Sequence, residues 1–209
     1  MKQNYQLMLD SVIDGITKSG ERPLLLLHVC CAPCSSYVLE YLSRYFSITL
    51  LFYNPNISPR NEYDLRLEEL CRLTKDMGLS EDVSFVECDY EPERFYEIAK
   101  GLENLPEGGE RCQKCYELRL SKSAQVAAHL GFDYFTTTLS ISPYKNAEWL
   151  NDIGKAQGEL YGIKYLFSDF KKRNGYKRSC ELSQKYGLYR QDYCGCIYSK
   201  VERDKQNGK

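Results

Sequence analysis

Long apolar runs are absent from this 209-residue chain. No stretch approaches the roughly 18–20 residues that a bilayer-spanning helix requires, which excludes a membrane-spanning helix. An excess of charge of one sign is also missing. Lys and Arg total 28 against 29 Asp and Glu, for a net charge of -1, so any contact with nucleic acid must come from a local basic patch. The sequence has no internal repeat and no Pro- or Ser-rich linker. Its length suits one α/β domain over residues 1–200, followed by a polar tail, 201–209, expected to be disordered. The first 20 residues lack a secretory core, because Asp10 and Asp14 interrupt them. Tyr5, Met8, Leu9, Val12, Ile13 and Ile16 recur at helical spacing instead and predict an N-terminal amphipathic helix. A cytosolic location is expected.

Cysteine is plentiful, at ten residues, and in a reducing compartment structural disulfides rarely persist. Seven of the ten fall in three tight groups: "CCAPC" (Cys30, Cys31, Cys34), "CQKC" (Cys112, Cys115) and "CGC" (Cys194, Cys196). Such grouping points to metal or redox chemistry. Of the others, Cys71 and Cys88 read as packing residues, and Cys180 stands in a basic stretch.

Strand-like and helix-like segments alternate along the chain. "PLLLLHV" reads as a buried strand, with a helix expected from about Ser36 to Tyr45. "SITLLFY" reads as a second strand, stopped by the prolines of "NPNISP"; a helix capped by Asn61 and ended at Gly78 follows. "VSFVECDY", "DYFTTTLSIS" and "KYLFSDF" supply three further strands, with helical material around "RCQKCYELRL" and "AEWLNDIGKAQGELYG". The segment from Lys171 to Lys200 reads as basic, tyrosine-rich and irregular. This alternation predicts a mostly parallel, Rossmann-like sheet with helices on both faces. The functional crevice of such a sheet lies beyond the carboxyl ends of its strands. "CCAPC", "NPNISP" and "SISPYKN" all follow strands, so they are expected to share that edge.

Two cysteines separated by two residues can grip one metal. Cys112 and Cys115 are therefore compatible with half a zinc site, a redox dithiol or a cluster turn. Adjacent Cys30 and Cys31 suit a tetrahedral ion poorly, and both reach one site only if the chain turns at Ala32-Pro33. A cluster with several irons is more forgiving, so Cys30, Cys31, Cys112 and Cys115 form a candidate four-thiolate cage for [4Fe–4S]. Cys194-Gly195-Cys196 reads as a closely spaced dithiol that stores two electrons, or as ligands to a second metal together with Cys34.

The motifs "HVCCAPCS", "FYNPNISPRNEYDLR", "GERCQKCYELRL" and "CGCIYS", in this order, resemble the QueH family of epoxyqueuosine reductases from about Pro23 to Ser199. The resemblance implies a nucleotide-hydrolase-like fold. It also implies reduction of epoxyqueuosine to queuosine at the tRNA wobble position, with a [4Fe–4S] cluster and no cobalamin. On the family pattern the cluster ligands are Cys30, Cys31, Cys112 and Cys115, and the redox-active pair is Cys194 and Cys196. Some relatives carry an additional iron ion beside the cluster, next to an acidic residue that matches Cys34; here a thiol stands in that place. The electron donor is unidentified.

A tRNA partner requires phosphate contacts, and the best candidates are Lys171, Lys172, Arg173, Lys177 and Arg178, with Lys145, Arg60 and Lys114 in support. Tyr144, Tyr176 and Tyr193 lie near the interesting loops and offer stacking surfaces. Glu62, Asp64 and Asp89 read as surface groups. His28 is expected to be a satisfied core histidine and His129 to lie at a helix end, neither in a catalytic role. Two other readings stand beside the reductase. A tRNA-thiolating ATP enzyme would want a glycine-rich phosphate loop where "CCAPCSS" has no glycine. A zinc-stabilised RNA-binding module would leave adjacent Cys30-Cys31 and the "CGC" pair unexplained.

Overall fold

The structure is a computed structural model and describes residues 3–208. Five parallel strands form one sheet in the order β3-β2-β1-β4-β5. They are β1 Leu24–His28, β2 Ser47–Leu51, β3 Val83–Val86, β4 Tyr134–Thr137 and β5 Lys164–Tyr165. The helices are α1 Tyr5–Ser19, α2 Ala32–Leu42, α3 Arg60–Asp76, α4 Pro92–Ala99, α5 Glu110–His129, α6 Ala147–Tyr161, α7 Gly175–Lys185 and α8 Ile197–Gln206.

Side chains alternate across β1 and so divide the core between two faces. Leu25 and Leu27 pack with Leu9 and Ile13 of α1, Leu39 of α2 and Leu70 of α3. Leu26 packs on the other face with Leu120 and Ala124 of α5, Leu150 of α6 and Phe135. With both faces covered, β1 reads as a continuous apolar run, as the sequence suggested. The N-terminal helix forms as expected. Its first turn is capped by Asn4, whose side chain accepts from the Leu7 N–H at 3.3 Å, and Gly20 in the left-handed region closes it.

Several boundaries differ from the sequence reading. α2 begins at Ala32 rather than near Ser36, because Pro33 sits in the first turn, where no backbone donor is needed. α3 begins at Arg60 behind Pro59, so Asn61 lies inside the helix, while Gly78 ends it as expected. β4 is short and passes into a 3₁₀ turn at Thr138–Ile141, and β5 has two residues. The stretch read as irregular after Lys171 contains α7 and the start of α8. α8 also takes up residues 201–206 of the expected disordered tail. The buried face of α7 is Ser179, Leu182 and Ser183 around Gly175, a small-residue pattern that gives little apolar period. A Cβ on Gly175 would lie 1.9 Å from the Phe170 carbonyl, so this close approach requires glycine.

Candidate active site at the strand carboxyl ends

From β1 the chain leads outward to β2 and β3 on one side and to β4 and β5 on the other. The strand order therefore reverses between β1 and β4, and a crevice opens beyond their carboxyl ends. His28 ends β1 and is fully buried. Its Nδ1 lies 2.8 Å from Thr137 Oγ1 and its Nε2 3.1 Å from the Tyr53 carbonyl. Burial, reinforced by the positive charge of Arg119, pushes its pKa down to about 3, so the imidazole stays neutral and ties three segments together. His129 is the last residue of α5. Both histidines stand where the sequence placed them.

Beyond His28 the chain turns, as two adjacent ligand-type thiols require. Cys31 is the residue that precedes α2, in extended backbone, and Cys34 lies in the first helical turn. The sulfurs of Cys30, Cys31 and Cys34 all lie within 4.8 Å of one another, and those of Cys30 and Cys31 are 3.8 Å apart. Hydrogen bonds from Cys30 and then Cys34 hold the Cys31 thiol well below the ordinary thiol range, with help from the charge of Arg66. The contact with Cys31, with burial, pushes Cys30 up to about 12, against a lowering contact from Cys34, and contacts with Cys30 and Cys31 push Cys34 well above its usual value. Of the three thiols, Cys31 is the one whose surroundings favour loss of its proton. The three together can bind a metal ion once their remaining protons leave.

Cys112 and Cys115 project from the first turns of α5, three residues apart and therefore on one side. Cys112 Sγ accepts from the Gly108 N–H at 3.3 Å, while burial pushes Cys115 up to about 12. The "CGC" turn docks on the loop after β2. The Ser58 N–H donates to the Gly195 carbonyl at 2.9 Å, and Arg66 Nη1 donates to the Cys194 carbonyl at 3.1 Å. Cys196 caps α8, accepting from the Ser199 N–H at 3.4 Å. Cys112, Cys115, Cys194 and Cys196 line one small enclosed chamber with Tyr116 and Arg119. Cys30 and Cys34 face the neighbouring crevice, which Cys194 and Arg119 also line. The structure therefore gathers all three cysteine groups at one sheet edge.

The crevice has a cavity volume of about 170 Å³ and opens to solvent. Tyr144, Tyr176 and Tyr193, the three tyrosines selected from sequence, all line it, and Tyr144 is 74% exposed. The basic residues divide. Lys171 pairs with Asp169, Arg173 with Asp10, and Arg178 with Glu40 and Glu181. Lys172 and Lys177 are exposed and have no ion pair among the described residues. Arg60 and Lys114 pair within their own helices, with Asp64 and Glu110.

Lys145 departs furthest from its expected role. Rather than an open phosphate contact, it is a buried ammonium whose Nζ lies 2.8 Å from Cys194 Sγ and 3.1 Å from Glu107 Oε1. Burial works against its charge, but Cys194, Tyr116 and Glu107 outweigh it and raise its pKa well above the usual value. Cys71 and Cys88 are half-buried on the far side of α3 and after β3, lining a separate groove. Cys180 lies in α7 rather than a loop. Sequence reasoning missed Arg66 and Arg119, both 1% exposed. The readable sign was an arginine within an otherwise apolar helical face, as in "YELRL".

The donor set fits a sulfur-ligated metal group. Cys31 sits at the amino-terminal end of α2, where unpaired N–H groups and the helix dipole favour thiolate, whereas at the start of α5 burial outweighs the Gly108 N–H and raises the Cys112 thiol. A buried guanidinium nitrogen, Arg119 Nη2, has no partner beside them.

A parallel α/β sheet with a thiol-lined crevice at its switch point defines an α/β protein whose Cys30, Cys31 and Cys34 can together bind a metal. The family described as "Epoxyqueuosine reductase QueH" matches residues 25–202. The chain is 46% identical over 200 residues to the Epoxyqueuosine reductase QueH of Streptococcus pyogenes, covering 95% of this chain and 78% of that one. It is 43% identical over 206 residues to the protein of the same name from Staphylococcus epidermidis, covering 97% and 87%. With the namesake from Thermotoga maritima it shares 38% over 183 residues, covering 86% and 91%. The chain belongs to the QueH epoxyqueuosine reductase family, a family of oxidoreductases.

Proposed function

We propose that the chain reduces the epoxide of epoxyqueuosine to the alkene of queuosine at the wobble position of tRNA. Its cofactor on this reading is a [4Fe–4S] cluster held by Cys30, Cys31, Cys112 and Cys115, with Cys194 and Cys196 as the redox pair. The placement of three cysteine groups around a crevice and the small chamber next to it, with Cys194 lining both, in a chain whose relatives carry the reductase name, is the observation that supports it. Bound there, a cluster supplies single electrons and, at an iron with an open position, Lewis acidity.

The reaction balances when the epoxide and two thiols become an alkene, one water and one disulfide. Cys194 and Cys196 give up two electrons and two protons and form the S–S bond, and both C–O bonds of the epoxide break. An external electron donor then returns the pair to dithiol. Gly195 allows the tight turn that two such close thiols need. Lys145 Nζ, beside Cys194 Sγ in the crevice wall, holds a proton where the departing oxygen needs one. Tyr144 and Tyr176 offer faces on which an unstacked anticodon base can rest, and Lys172 and Lys177 offer phosphate contacts. The site of action is the cytoplasm, where tRNA is modified. Cys34 would be the ligand left over for an additional iron ion.

The test is turnover of epoxyqueuosine-containing tRNA by the anaerobically reconstituted chain with a low-potential reductant, followed by mass analysis of the released nucleosides. The expected product has lost one oxygen atom. Cys194→Ser and Cys196→Ser are each expected to lower the rate at least about a hundredfold, the scale of losing one reacting group. Full turnover by both variants would remove the dithiol from the mechanism.

A further inference from the structure

Three arginines are buried to 1% exposure, and they are satisfied in different ways. Arg66 has a carboxylate, Glu62 Oε1, at 2.7 Å. Arg111 donates to the backbone carbonyls of Leu102, Glu103 and Leu105 and lies over the Tyr198 ring. Arg119 has the Cys115 carbonyl at 3.3 Å, the Asn54 Oδ1 at 3.4 Å, and no ion pair among the described residues. Each of the three leaves one nitrogen unpaired, but Arg119 alone lacks both a carboxylate and a full set of carbonyls. A guanidinium stays protonated wherever it is put, so a buried one without an anion is strongly unfavourable.

The anions must come from its surroundings. The ionisable groups that bear on Arg119 are Cys115, Cys194, Cys30 and Tyr116, so three are thiols and none is a carboxylate. These thiols belong to all three cysteine groups. Arg119 also lines both the crevice and the enclosed chamber, so it stands in the wall between them. We infer that Arg119 is a positioning residue that serves as the built-in counter-charge of the metal–thiolate centre, with its unpaired, buried Nη2 as the donor left over for that centre. The inference rests on the proposed reading that these thiols hold a cluster. A fixed positive charge beside such a centre favours the more negative, reduced form and so raises its reduction potential.

The test uses the full-length chain, with the cluster rebuilt anaerobically in the wild type, Arg119→Met and Arg119→Lys. Iron and sulfide per chain, the midpoint of cluster reduction, and the melting of the metal-free chain are measured together. Arg119→Met is expected to melt at or above the wild type without metal, because an uncompensated buried cation is gone. With the cluster in place, its reduced-to-oxidised ratio at a fixed potential should fall at least about tenfold, a shift of about 59 mV for one electron. Arg119→Lys should recover most of that shift. An unchanged midpoint in Arg119→Met at full cluster content would overturn the inference alone. So would an Arg119→Met chain that fails to fold without metal, since that would assign Arg119 a structural role. A wild-type chain that takes up no iron and sulfide would overturn the proposed function, and the inference with it.

Discussion

Gly195 carries the geometry of the second thiol pair. Its φ of +126° lies where L side chains are strained, and an added Cβ would come within 3.0 Å of both Arg66 Nη1 and Ile57 Cγ1. The Ser58–Gly195 hydrogen bond and the Arg66–Cys194 contact then hold the turn against the loop after β2. Gly195→Ala is expected to cost about 1–3 kcal/mol of loop docking, the usual range for a forced backbone conformation. Alkylation of Cys194 and Cys196 in the metal-free chain, followed by mass spectrometry, should accelerate accordingly, by about fivefold or more. Alkylation at the wild-type rate would mean that the turn is not held in this way. At this scale the sequence was readable where a residue's role is local. The Cys-Gly-Cys spacing called for glycine, and His28 within an apolar run called for a neutral, hydrogen-bonded ring. Lys145 was not readable, because its partners Glu107 and Cys194 lie 38 and 49 residues away.

At the scale of elements, α5 and α7 divide the work. α5 delivers Cys112, Cys115 and Arg119 from one helix, whose apolar residues pack on the sheet while its polar and thiol groups face the edge. The helix and its pair of thiols were legible in "RCQKCYELRL", while the burial of Arg119 beside them was not. α7 was not legible, because serines and a glycine form its buried side. Its basic residues are correspondingly divided, with Arg178 bound to Glu40 of α2 at 2.7 Å and Lys177 exposed. Replacing Lys172 and Lys177 together by Glu is expected to weaken tRNA binding and to lower the slope of log affinity against log salt by between about 1 and 2, as for two lost phosphate contacts. Arg178→Ala is expected to cost less than about 1 kcal/mol of stability and to leave that salt slope unchanged, because its charge is already used within the fold. Filter binding over a salt series distinguishes the two; an effect of Arg178→Ala equal to that of the double variant would contradict the division.

At the scale of the whole molecule, the alternation of strands and helices was enough to predict a parallel sheet, and therefore an edge on which loops from β1, β2 and β4 meet. What it could not supply was the grouping of the thiols. That depends on which loops face one another across the switch point, and on the "CGC" turn folding back some 140 residues along the chain to lie on the loop after β2. The thiols of the isolated chain must hold iron and sulfide together. The direct measurement is to purify the chain without oxygen and determine iron, acid-labile sulfide and zinc per chain alongside the visible spectrum. About four irons and four sulfides per chain, with a broad visible absorption, is the predicted result. Zinc without sulfide, persisting after an anaerobic attempt to rebuild the cluster, would contradict it.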